Sequence, residues 1–238
     1  MLDRLAPTHR PLGRPDGTQR WESLLFCHWE IPSKTLRPLL PTDLEIDTFD
    51  GGAFIGVVPF RMRHVRPGCL PKSLAFNFLE TNVRAYVVHR GRPGVYFFSL
   101  DASSRLAVWA ARAGWSLPYY YAQMNATDEN GLHTYRSQRA GGRAGHQVKF
   151  RIDQELGPST VGTLEHFLLE RYLLFLERRN AIYVGQVHHE PYQTHTAHVD
   201  SIEDHLIAAA GFPAASGSPD LVHYSPGVDV EVFGIRKA

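Results

Sequence analysis

The pattern of apolar and polar positions is most informative between Phe78 and Ala122, FLETNVRAYVVHRGRPGVYFFSLDASSRLAVWAARAGWSLPYYYA. Side chains two apart along a strand share a face. From Glu80 onward one face is Thr81, Val83, Ala85 and Val87, ordinary packing material. The other is Glu80, Asn82, Arg84 and Tyr86: a carboxylate, an amide, a guanidinium and a phenol. This alternation predicts a strand carrying a polar pocket on a rigid sheet. Gly91-Arg92-Pro93-Gly94 predicts a turn into a second strand, VYFFSLDA. Ser103-Ser104 or Asp101 then caps a helix that Gly114 stops, with Ala107, Ala110 and Ala111 as its small face.

Elsewhere the patterning is mainly that of strands. Trp21–Ile31 is an apolar run interrupted by His28 and Glu30. Ser33 caps a short helix ending at Pro41. Leu44–Thr48 and Ala53–Met62 read as a hairpin about Phe49-Asp50-Gly51-Gly52. YYYAQMNAT and LHTYRSQR read as another about DENG, followed by GHQVKFRIDQELG. Leu164, Phe167, Leu168, Arg171, Tyr172 and Phe175 recur at helical spacing and predict a helix over Thr160–Asn180. Ala181–His188 returns to strand, Asp200 caps a short helix, and GVDVEVFGI is the last strand. Residues 1–20 are rich in Pro, Arg and Gly and read as a loosely ordered surface arm, leaving 21–238 as one domain. Many strands with few helices indicate an α+β fold with a mostly antiparallel sheet.

Composition narrows the function classes. The 238 residues are 43% hydrophobic with a net charge of +1, and no basic stripe interleaved with aromatics points to nucleic acid. No apolar run approaches the roughly 20 residues of a membrane span, so a cytoplasmic location is expected. The two cysteines stand alone, which indicates neither a disulfide framework nor a thiol-based zinc site. His188, His189, Glu190, His195 and His198 are close in sequence but lack metal-ligand spacing, so no metal and no cofactor is expected.

The segments NVRAYV, GVYFFSLDA and AARAGWSLPYYYA, together with LLFCHWEIP, LERYLLF and HYSPGVDVEVF, resemble the YqjF family of uncharacterised bacterial proteins, the DUF2071 family. That resemblance implies the acetoacetate decarboxylase-like fold: a curved, mostly antiparallel sheet closing into a cone or barrel around a cavity, with a few packed helices. Acetoacetate decarboxylases carry a Gly-Arg-Glu…Trp-Gly-Phe-Pro-Lys stretch whose lysine forms a Schiff base. Here Arg112, Trp115 and Pro118 match it, but Tyr119 stands at the lysine position, followed by Tyr120. A Schiff base needs a primary amine, and the lysines are Lys34, Lys72, Lys149 and Lys237.

The expected site therefore has Glu80, Tyr119 and Tyr120 as proton-handling groups and Asn82, Arg84, Tyr86 and Arg112 as ligand-binding groups. A guanidinium suits a carboxylate or enolate because its fork donates two parallel hydrogen bonds. The competing reading is an internal Glu80–Arg84 ion pair with no function beyond structure. Three functions stay open: binding and transforming a small anionic or carbonyl-containing molecule without a lysine, binding or sensing without catalysis, and decarboxylation with a relocated lysine such as Lys149 or Lys72. The expected partner is a small molecule rather than nucleic acid or membrane. Self-association into a homo-oligomer is left open by the sequence.

Overall fold

The computed structural model describes residues 2–115, 117–214 and 217–238. In chain order the elements are β1 (Gly17–Ile31), α1 (Ser33–Leu36), β2 (Glu45–Ile46), β3 (Ala53–Pro67), β4 (Phe76–His89), β5 (Arg92–Ala102), α2 (Arg105–Trp115) and β6 (Tyr119–Glu129). There follow β7 (Leu132–Arg139), β8 (Gly145–Gly157), α3 (Leu164–Leu169), β9 (Leu173–Arg178), β10 (Ala181–His188), β11 (Thr194–Asp204), α4 (Leu206–Ala209) and β12 (Leu221–Lys237).

The strands form one continuous sheet that closes on itself twice. The neighbours run β10-β9-β5-β6-β7-β8-β11-β12-β1-β3-β4-β2, with added pairings β10–β12 and β5–β4. One ring is therefore β12-β1-β3-β4-β5-β9-β10. A second shares β12, β1, β3, β4 and β5 and returns through β6, β7, β8 and β11. Pairing is antiparallel except where β5 meets β9 and β6. Each face of the shared strands packs into its own core. Leu24, Phe26, Phe60, Tyr86 and Tyr192 fill one; Leu25, Cys27, Val57, Val83, Ala85 and Tyr135 fill the other. Closure covers the strand edges that an open sheet would expose.

Local chemistry explains the turns. Arg90-Gly91, Asn130-Gly131 and Arg179-Asn180 have positive φ at both positions and join β4–β5, β6–β7 and β9–β10 as two-residue hairpins, the geometry that matches strand twist. The β4–β5 turn thus lies just before the expected one, and Pro93 and Gly94 are already in β5. Ser104 Oγ accepts the Ala107 amide (3.2 Å) and caps α2, which continues through Gly114 to Trp115. Ala107 and Val108 are its buried face, while Ala110 is exposed.

Four expectations need correction. The helix over Thr160–Asn180 is only α3, capped by Thr163; β9 follows. An apolar run buried on both faces satisfies either period, and here pairing with β5 and β10 decides for strand. Residues 44–48 and 53–62 do not form a hairpin: the turn at Phe49–Gly52 is present, but β2 pairs with Val87 and Val88 of β4. Asp200 lies within β11, and it is Asp204, at the end of that strand, whose Oδ1 accepts the Ile207 amide at the start of α4 (2.9 Å). The arm is not loose throughout: Gly17–Arg20 belong to β1, and Arg4 is bonded to Asp47 through both guanidinium nitrogens (2.6 and 2.7 Å).

Candidate functional site

The polar face of β4 lies inside the first ring. β4 sits between β3 and β5, so both its edges are paired, and each of its faces packs into one of the two cores. Glu80, Asn82, Arg84 and Tyr86 are 3%, 5%, 8% and 0% exposed. The alternate residues Val83, Ala85 and Val87 pack into the other core, as the alternation predicts.

Glu80 and Tyr119 meet across two strands. Leu100 of β5 is opposite Tyr119, and Ala102 is opposite Glu80. The Tyr119 hydroxyl donates to Glu80 Oε2 at 2.8 Å. Burial pushes the Glu80 carboxyl up to about 8; the Tyr119 bond opposes that rise and nearby Asp101 adds to it. Burial, then the Glu80 charge, holds the Tyr119 phenol well above its ordinary value. From the other face the Tyr135 hydroxyl donates to the Glu80 main-chain carbonyl at 2.7 Å and fixes the backbone there.

Arg84 does not pair with Glu80. Its Nη2 donates to the Leu168 carbonyl at the end of α3 (3.1 Å) and contacts the Tyr86 hydroxyl (3.4 Å). The guanidinium carbon lies over the rings of Phe26 (5.4 Å) and Tyr86 (5.7 Å). Among the described residues no carboxylate comes within salt-bridge distance of it, and its Nε has no partner. The internal ion pair is therefore overturned, leaving a buried cation held by a carbonyl, a phenol and two ring faces. Asn82, between Glu80 and Arg84, leaves its buried Oδ1 unpartnered as well.

Tyr86 ties the floor together. Its hydroxyl donates to the Leu168 carbonyl (2.9 Å) and lies 2.7 Å from His28 Nε2. The hydroxyl proton is committed to Leu168, so His28 Nε2 carries the hydrogen and donates. Burial, with the Arg84 charge, keeps His28 neutral, well below its ordinary value.

The remaining candidates lie elsewhere. Tyr120 is on the opposite face from Tyr119, under the Arg139 guanidinium at 3.8 Å. Arg139 grips the fully buried Asp101 with two bonds (3.0 and 2.7 Å), so Asp101 is an ion-pair partner and not a helix cap. Arg112 is exposed on α2 and donates to the Tyr119 carbonyl (2.6 Å); it braces the strand that carries Tyr119. Ser99 Oγ is buried without a partner, histidine included. All four lysines are exposed, so none supplies an amine to the Glu80 face. His188 and His189 diverge: His188 Nδ1 meets the Thr8 carbonyl (3.1 Å), and His189 is buried. Among the described residues no three His, Cys, Asp or Glu side chains converge as metal ligands, and no helix is long and apolar enough to cross a membrane.

Two groups nearby lie outside the expected site. Arg171, assigned to an apolar helix stripe, bonds Asp47 at 2.7 Å beside Arg4, and burial lowers it to about 10. Glu170 accepts from the Tyr172 hydroxyl (2.6 Å) and the Tyr192 amide (3.1 Å). Between the arm and α3, lined by Arg4, His166, Glu170 and Tyr172 among others, is a cleft of about 10 Å³, room for about one water. His28, bonded to Tyr86, carries a sequence signal of its own as a polar interruption in an apolar strand.

Residues 18–229 match the DUF2071 family profile, described as an uncharacterized conserved protein. The uncharacterized protein YqjF of Bacillus subtilis (strain 168) is 36% identical over 229 residues, covering 94% of each chain. Three solved structures share the fold at low identity. Acetoacetate decarboxylase from Legionella pneumophila has a TM-score of 0.66 at 13% identity, over 98% of this chain and 92% of that one. The enduracididine biosynthesis enzyme MppR, complexed with pyruvate, has a TM-score of 0.64 at 12% identity, over 96% and 93%. An acetoacetate decarboxylase-like enzyme from Sphingomonas wittichii RW1 has a TM-score of 0.61 at 12% identity, over 94% and 93%. The chain belongs to the DUF2071, YqjF-like family and has the acetoacetate decarboxylase-like fold.

Proposed function

We propose that this protein binds a small carboxylate-bearing carbonyl compound inside the first ring and moves a proton on it without a lysine. The observation that carries this reading is Arg84, a buried guanidinium with no carboxylate beside it and an unpartnered Nε. A buried charge left uncompensated is costly, and a ligand carboxylate compensates it. Glu80 is four residues along the same strand face, about 13 Å of backbone, and the Arg84 guanidinium is turned toward Tyr86 and Leu168. The Glu80 carboxyl, raised to about 8, suits proton transfer near neutrality. Tyr119 orients that carboxyl, and the orphan Asn82 Oδ1 lies between the two ends of the site. The pyruvate bound by MppR, which shares the fold, is a molecule of this class.

In the proposed step Arg84 holds the carboxylate, and ionised Glu80 takes a proton from the carbon beside the carbonyl and returns it to the enolate. No electrons are gained or lost. Pyruvate and acetoacetate are the first compounds to test. A ligand at about a hundred times its Kd stabilises the native state by about 2.7 kcal/mol, visible as a rise in Tm. The rise is expected in wild type and not in Arg84→Gln; an equal rise in both removes Arg84 from the site. In D2O, proton NMR should show exchange of the hydrogens beside the carbonyl, faster as pH rises towards about 8 where Glu80 ionises. Glu80→Gln should bind and not exchange. Binding by wild type with no exchange would identify a non-catalytic binding protein.

A further inference from the structure

The ring interior holds a second set of unpartnered polar atoms, away from Arg84. His189 follows β10 and is 3% exposed. Its Nδ1 is 2.8 Å from the Glu190 carbonyl. A carbonyl only accepts, so Nδ1 carries the hydrogen and Nε2 is a bare acceptor. That Nε2 is buried and meets no donor. The ring cannot easily turn to find one: it stacks on Tyr172 at 4.5 Å and packs on Tyr192 at 4.6 Å. Trp21 lies 5.6 Å away, centroid to centroid, and its Nε1–H is buried without an acceptor. Neighbouring rings thus leave one acceptor and one donor unsatisfied, an arrangement native interiors rarely keep without a use.

Aromatic contacts connect these atoms to the proposed site from both ends. Tyr192 packs edge-on against Phe26 at 5.3 Å, and the Arg84 guanidinium lies over Phe26. Trp21 packs against Phe60 at 6.0 Å, and Phe60 is the β3 partner of Glu80.

We infer that the ligand is bifunctional: a small oxo acid that also bears a hydroxyl, which donates to His189 Nε2 and accepts from Trp21 Nε1–H. A hydroxyl satisfies both atoms at once, which a methyl or methylene cannot. This inference rests on the reading of Arg84 as the carboxylate site. Burial lowers His189 to about 4, which keeps its ring neutral and its Nε2 free to accept at neutral pH.

The test is calorimetric titration of α-ketobutyrate against its γ-hydroxy analogue and α-ketovalerate against its δ-hydroxy analogue. For at least one pair, wild type should bind the hydroxy acid roughly ten-fold more tightly, the worth of a good hydrogen bond to an otherwise orphaned group. His189→Phe keeps a stacking ring and removes the acceptor. The preference should disappear there while the plain acid binds as before. Should His189→Phe fail to fold, Trp21→Phe removes the donor and is read the same way. Equal wild-type affinity within both pairs, or a preference that survives both substitutions, overturns the inference while the carboxylate site stands; the orphan atoms then hold an ordered water. If neither plain nor hydroxy acid binds wild type, the carboxylate site itself falls, and the inference with it.

Discussion

Glu80 is the residue whose environment departs furthest from what its neighbours in sequence imply. A carboxyl four residues before an arginine on one strand face reads as half of an ion pair. The structure gives it a tyrosine hydroxyl instead and withholds the cation. With the group raised from 4.5 to about 8, the folded state binds the proton more tightly than the unfolded state. Its contribution to stability is therefore complete below about 4.5 and is lost as pH rises to about 8. Glu80→Gln removes that titration. The difference in unfolding free energy between variant and wild type should grow across this window in the variant's favour, by on the order of a few kcal/mol. Denaturant melts at several pH values measure it, and a difference flat with pH would mean that Glu80 is not a buried, unpaired acid.

At the scale of elements, β4 was legible and β9 was not, for one reason. The β4 alternation has period two and places chemistry on one face only, so no other element fits it. Leu173–Leu176 is apolar at every position, and its period is ambiguous until neighbours are assigned; β5 and β10 then claim Leu173–Arg178 as a strand. The pairing of β1 with β12 leaves no room for a side chain at Gly227. Gly227 has φ of +137° and faces Glu22, and a Cβ there would overlap the Trp21 carbonyl oxygen. Gly227→Ala combines a disfavoured backbone conformation with a clash against main chain, which should cost about 3 kcal/mol or more. Thermal unfolding tests this; an unchanged Tm would show that the pairing tolerates a side chain.

Across the whole molecule, β12 pairs with β1, β10 and β11, so the last strand closes both rings and is partnered by the first. Most of the ring contacts join residues far apart in sequence, a topology that folds slowly because loop closure precedes its reward. A chain ended before Leu221 would leave β1, β10 and β11 with unpaired edges and should aggregate. A soluble truncated chain with native circular dichroism would contradict the closure described above. Asp47 acts at the same scale, linking Arg4 of the N-terminal segment to Arg171 beside the ring. Asp47→Asn should leave Arg171 buried without its counter-charge, at a cost of about 3–5 kcal/mol, and should free residues 2–16 to proteolysis. Limited digestion with mass readout checks the second effect; unchanged protection would show that the segment is held by its other bonds.

The sequence by itself determined the strand-dominated class, the hairpin turn at Asn130-Gly131, the tight turn at Phe49–Gly52, and the separation of Glu80, Asn82, Arg84 and Tyr86 from an apolar face. These follow from local stereochemistry and from the two-residue period of a strand, which act over a few neighbours. Only the tertiary structure decided which acid meets which base. Asp101 finds Arg139, Asp47 finds Arg171 and Arg4, and Glu80 finds Tyr119. Arg84 is left without an acid, and His189 and Trp21 without hydrogen-bond partners for Nε2 and Nε1. Such pairings depend on sheet register and ring closure between distant segments, and no spacing along the chain encodes them.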